Sequence, residues 1–168
     1  MIRVLFVLAL TLVSGLAPLA ALADNPNVRW ADIIGIVQAG NLVGSGTGQV
    51  TGGGQPWSTS RGSASVNLQT GDVHFRVEGL VLAGGNSIGT PDGIVQVKGT
   101  LVCDTDGSAG GGNSTLVDTP LVTLSAQGDA EFNGSVGSLP AACLEPDIAF
   151  LVRIAAGRWI AAGVVRTP

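Results

Sequence analysis

From about residue 60 onward the chain alternates apolar and polar residues with a period of two, broken by short clusters of Gly, Ser, Asn and Asp. That period sends successive side chains to opposite faces of a pleated strand, so each segment has one face to bury and one for water. In residues 63–68, Ala64, Val66 and Leu68 alternate with Ser63, Ser65 and Asn67. In residues 73–79, Val73, Phe75 and Val77 face one way and His74, Arg76 and Glu78 the other. Residues 94–103 set Val95, Val97, Leu101 and Cys103 against Gln96, Lys98 and Thr100. Residues 130–136 set Ala130, Phe132 and Val136 against Glu131, Asn133 and Ser135. Helical periodicity is scarce.

Further strands are expected at residues 31–39, 42–51, 121–126, 148–155 and 159–166; the last two are apolar on both faces, as central strands are. Ala156-Gly157-Arg158 is short enough for a hairpin turn between them. Gln69-Thr70-Gly71-Asp72 and Ala126-Gln127-Gly128-Asp129 make two similar turns. About nine strands with turn signals every ten or so residues describe an all-β chain, a single antiparallel β-sandwich or β-barrel. Glycine runs at residues 52–54 and 110–112 mark long loops, and neither flanks a segment large enough to be its own domain. The phrases GSASVNLQTGDVHFRV and LVTLSAQGDAEFNGSV share a turn ending in Gly-Asp and a Phe three residues later. Shared hairpin chemistry explains them better than internal duplication.

The first 23 residues carry the three parts of a cleavable secretory signal peptide. Arg3 supplies a positive start, VLFVLALTLV an apolar stretch, and Ala21-Leu22-Ala23 the small residues of a cleavage site. Ser14, Gly15 and Pro18 interrupt the stretch and disfavour a retained membrane anchor. No cysteine follows the small residues, as a lipid-tethered protein would need. A single secreted domain is therefore expected over residues 24–168, extracellular or periplasmic. An outer-membrane barrel is disfavoured, because the chain has no tyrosine and four phenylalanines with which to build aromatic girdles.

The chain carries eight Lys and Arg against twelve Asp and Glu, and loss of Arg3 deepens the deficit. With one lysine and scattered arginines, nucleic acid is not an expected partner. Two cysteines in an exported chain are read as one disulfide, Cys103 with Cys143. The only histidine, His74, lacks a ligand-spaced neighbour for a metal.

No catalytic constellation emerges, so an enzyme is not the leading expectation. Gly85-Asn86-Ser87-Ile88-Gly89 matches a nucleophile elbow, but Thr90-Pro91-Asp92-Gly93 follows where that motif needs a helix, and His74 precedes the serine. His74 reads as a surface residue of a polar strand face. Asp104-Thr105-Asp106-Gly107 begins like a calcium loop, yet the fifth residue is Ser108 and the twelfth Thr115, which leaves Asp104 and Asp106 as weak metal candidates. Asp72, Glu78, Asp129 and Glu131 are the candidate carboxylates for a hydrolase. Trp57, after Gly52-Gly53-Gly54 and Pro56, is the expected exposed ring and the candidate binding residue; Trp30 and Trp159 are assigned to the core. Asn113 and Asn133 begin glycosylation sequons, relevant in a eukaryotic host and treated as unused in a chain of bacterial character. The loops at residues 52–57 and 104–113 are expected at one end of the fold, as the place for function. The leading expectation is a secreted, non-enzymatic module that binds a surface, polymer or protein partner without a cofactor. A carboxylate-dependent hydrolase and a small-ligand barrel are the alternatives.

Overall fold

The computed structural model describes residues 26–144 and 147–167. The expected signal segment, residues 1–23, lies outside them. In chain order the first strands are β1 (Asn27–Gly35), β2 (Leu42–Val43), β3 (Val50–Thr51), β4 (Trp57–Ser58), β5 (Arg61–Asn67), β6 (Asp72–Glu78) and β7 (Val81–Leu82). There follow β8 (Gln96–Cys103), β9 (Thr115–Asp118), β10 (Val122–Thr123), β11 (Ala130–Ser135), β12 (Ile148–Ile154) and β13 (Trp159–Thr167).

Eight of these strands form one hydrogen-bonded path, β10-β8-β12-β13-β1-β5-β6-β11, to which β9 adds beside β8. Its pairings are antiparallel. Strands lie about 4.8 Å apart, so a flat sheet would separate β10 from β11 by roughly 34 Å. Only residues 124–129 join those two strands, and a chain of that length reaches at most about 24 Å. The sheet must therefore curl, and it forms a half-barrel.

Inside the curl, Phe75 and Phe150 are fully buried, with ring centroids 5.7 Å apart. Trp30 lies 5.5 Å from Phe150, and Phe132 lies 6.3 Å from Phe75. Gly99 on β8 makes room for this cluster, since a Cβ there would come within 2.9 Å of both Phe75 and Phe150. As expected, β12 is central, between β8 and β13, and Phe150, Leu151 and Val152 are buried on both of its faces. The hairpin between β12 and β13 closes through Gly157 N to Ile154 O and Ile154 N to Arg158 O. The Cys103–Cys143 disulfide forms, tying the end of β8 to the short 3-10 turn Ala141–Leu144. For a closed loop of about forty residues the chain-entropy contribution is about 4 kcal/mol.

Several segments depart from the expected pattern. The strand expected at residues 31–39 starts earlier, because Val28 and Trp30 are buried in the sheet. It also ends earlier: Ile36 N donates to Ile160 O as the chain leaves β1, and Val37 is 82% exposed. Residues 42–51 form two short strands, β2 and β3, around a 3-10 turn at Gly46–Gly48. The strand expected at residues 121–126 shrinks to β10, while β9 arises unexpectedly before Pro120. Proline lacks a ladder donor, so this edge is split into two pieces that pair with different halves of β8. Thr100, assigned to a polar face, is completely buried, and Val95, assigned to an apolar face, is 65% exposed. Segment 43–45 covers the outer side of β8 near Val102, so both faces of that strand are buried there.

Candidate functional site

The polar face of β1, β5, β6 and β11 is the outer face of the curl. Alternation places Val66, Val73, Phe75 and Val77 inward and leaves Ser63, Ser65, His74, Arg76 and Glu78 outward. The register then sets residues side by side. Arg29 on β1 lies opposite Ser65 on β5, and Ser65 lies opposite His74 on β6. One step along, Ser63 faces Arg76, which faces Glu131 on β11. Arg61 faces Glu78. Three arginines scattered through the sequence thus gather on three adjoining strands.

Their electrostatics differ. Glu78 takes both Arg61 (3.2 Å) and Arg76 (2.9 Å). His74 Nε2 lies 3.4 Å from Glu131 Oε1. Arg29 is exposed, and its side chain has no hydrogen-bonding or ionic partner among the described residues.

Three depressions adjoin along this face. The first, of about 470 Å³, is lined by Arg29, Trp30, Ala31, Ser63, Ser65 and His74, with Ala64 and Thr167 completing it. It lies where the β1–β5 ladder, which runs from Asn27↔Asn67 to Trp30↔Ala64, comes to its end. The second, of about 330 Å³, shares Ala31 and Ser63 with the first and adds Arg61, Gly62, Arg76 and Glu78. The third, of about 240 Å³, shares Arg76 and continues over Asp129 and Glu131 to Thr123. Together they make a polar track running across the strands.

The sequence-derived candidates lie elsewhere. Trp57 is not an exposed ring. It pairs with Leu82 across β4 and β7 and is 7% exposed, because the Gly-Pro segment folds back onto the end of the sheet. There its edge lines a hollow of about 140 Å³ with Leu82, Ile94, Ile154 and Ile160, under a rim that includes Asp92 and Arg158. The loop at residues 52–57 meets the β12–β13 turn through Arg158 Nη1 to Gly52 O. The loop at residues 104–113 instead lies beside the start of β12, where Thr105 N donates to Asp147 O. The two loops therefore sit at opposite ends of β12 rather than at one end.

Asp104 and Asp106 organise their own loop. Asp104 is 1% exposed, and its carboxylate accepts from the amides of Ala109 and Gly110. Asp106 accepts from the Ser108 amide at 2.9 Å. The Ser108 amide and hydroxyl hold the Asp106 carboxyl below the usual carboxylate range. No group of three or more His, Cys, Asp or Glu with metal-holding geometry occurs among the described residues.

Ser87 lies in the loop between β7 and β8, and its carbonyl accepts from Thr90. The chain then enters β8 rather than a helix. Asp72 accepts from the Thr70 hydroxyl at 2.6 Å, and Asp129 from Gly79 N at 3.0 Å. Asn113 Oδ1 accepts from both the amide and the hydroxyl of Thr47. A network absent from sequence reasoning lies outside β8, where Asp118 accepts from Lys98, from Thr100 (2.6 Å) and from Arg153 (3.2 Å). Burial pushes the Asp118 carboxyl up, but donation by Lys98 and Thr100 and the charges of Lys98 and Arg153 outweigh it. The net effect is a lowered pKa.

No helix among the described residues is long and apolar enough to cross a membrane. Comparison with known protein families, with curated proteins and with solved structures finds no match to this chain.

Proposed function

We propose that the protein is a secreted, non-enzymatic β module that binds an extended polymer along the outer face of β1, β5, β6 and β11. The observation that carries this reading is the run of three adjoining polar depressions, which share Ala31, Ser63 and Arg76. A long open track suits a chain-like ligand, whereas small molecules favour enclosed, mostly apolar pockets. Secretion rests on the signal-like residues 1–23 and on the disulfide, which suits an oxidising compartment.

The alternatives have less support. Each candidate hydrolase carboxylate already has a partner: Glu78 with two arginines, Glu131 with His74, Asp72 with Thr70 and Asp129 with Gly79. A small-ligand barrel needs interior space, and rings from β1, β6, β11 and β12 fill the curl.

The test is retention on immobilised polysaccharides. Ser65→Trp places a bulky ring in the largest of the three depressions and should abolish retention while leaving the thermal unfolding midpoint near that of the wild type. Trp57→Ala should leave the retention of folded protein unchanged. Equal retention of wild type and Ser65→Trp would overturn the assignment of this face.

A further inference from the structure

We infer that the polymer is a uronate-type polysaccharide whose carboxylates are received by Arg29 in the row Arg29–Ser65–His74, an inference that rests on the binding-module reading above. Direct cross-strand pairing puts the three residues in one line on one face. Three adjacent strands place the Cα atoms of Arg29 and His74 about 10 Å apart, with the serine hydroxyl midway. Arg29 is the distinctive member. Arg61 and Arg76 are engaged by Glu78 and His74 by Glu131, whereas the Arg29 side chain has no partner among the described residues and lines the largest of the three depressions. Its planar guanidinium fork matches a carboxylate through two parallel hydrogen bonds, which a lysine cannot reproduce.

The rest of the track favours a sugar chain over a peptide. Ser63, Ser65 and Thr167 offer hydroxyls that both donate and accept, as sugar hydroxyls require. Glu78, farther along, and Glu131, beside His74, are acceptors suited to sugar hydroxyls. An acidic peptide would bring apolar side chains, for which Ala31 is a small landing place.

Calorimetric titration with polygalacturonate, its fully methyl-esterified form and poly-L-glutamate tests the inference. Polygalacturonate should bind. The neutral ester and Arg29→Gln should each weaken binding about tenfold, the scale of one lost charge-assisted pair. Arg29→Lys should recover only part of that loss, and poly-L-glutamate should bind more weakly than polygalacturonate. No binding of polygalacturonate, or unchanged affinity in Arg29→Gln, would overturn the inference. So would equal or tighter binding of poly-L-glutamate. If the ester binds as well as the acid and Ser65→Trp abolishes both, the carboxylate is wrong and the groove stands. If Ser65→Trp changes neither, both readings fall.

Discussion

Two segments of this chain carry nearly the same turn chemistry and do different work. The turn at Asn67–Gly71 has a local frame and is also bonded from outside, by Leu68 N to Pro26 O, Val136 N to Gly71 O and Ser135 Oγ to Thr70 O. The Asn67 side chain accepts from the amides of Gln69 and Thr70, Gly71 N donates to Asn67 O, and Asp72 takes the Thr70 hydroxyl. Its flanking strands, β5 and β6, pair with each other as a hairpin. The turn at Ser125–Asp129 has a comparable local frame, with Ser125 Oγ accepting from Gln127 and Asp129. Both have glycine before the aspartate at positive φ, +70° at Gly71 and +85° at Gly128. The second turn bonds to the segment after β6: Leu80 N donates to Gly128 O and Gly79 N to Asp129 Oδ1. Its flanking strands do not pair with each other, β10 pairing with β8 and β11 with β6. A Gly-Asp turn thus specifies that the chain reverses, and the buried faces choose the partner. The two phrases even meet, since Phe75 and Phe132 are directly opposed across β6 and β11.

The phenylalanine pair offers the largest effect with which to break this comparison. Phe75 is fully buried against two rings, so Phe75→Ala should cost about 4 kcal/mol in urea unfolding. Phe132 is half-buried on the edge strand, and its alanine variant should lose about 2 kcal/mol. Equal losses would mean that the two phrases are structurally equivalent after all. The aspartates give a smaller contrast. Asp129→Ala removes a bond to a distant amide and should cost about 1 kcal/mol. Asp72→Ala loosens a local turn and should stay within about 0.5 kcal/mol. A reversed order would show that the second turn does not anchor the curl.

The smallest effect compares both turn acids with Asp118, which bridges β8, β9 and β12. Its folded-state pKa is lowered, so its contribution is present above the unfolded value and is lost as pH falls through the folded one. The side chain is 36% exposed, so the loss should be modest. Unfolding curves collected below about pH 4 should show wild-type stability falling more steeply than that of Asp118→Asn. Parallel curves would remove Asp118 as a source of acid sensitivity.

What could be read in advance was what depends on near neighbours. Strands β5, β6, β11, β12 and β13 were legible because alternation and turn residues act over a few positions, and the disulfide because a chain read as exported had two cysteines to join. Trp57 was misread for the converse reason. Glycines and a proline beside it suggested exposure, and only pairing with Leu82, 25 positions away, buries it. The polar track was invisible because none of its arginines is near another in sequence. By itself the sequence determined an all-β chain with one polar and one apolar side to most strands, since side-chain alternation follows from backbone geometry alone. Only the tertiary structure decided which polar sides became neighbours, because strand order is set by packing the buried faces into one curled core. That order is what leaves Arg29 beside Ser65 and His74 with its charge unmatched among the described residues.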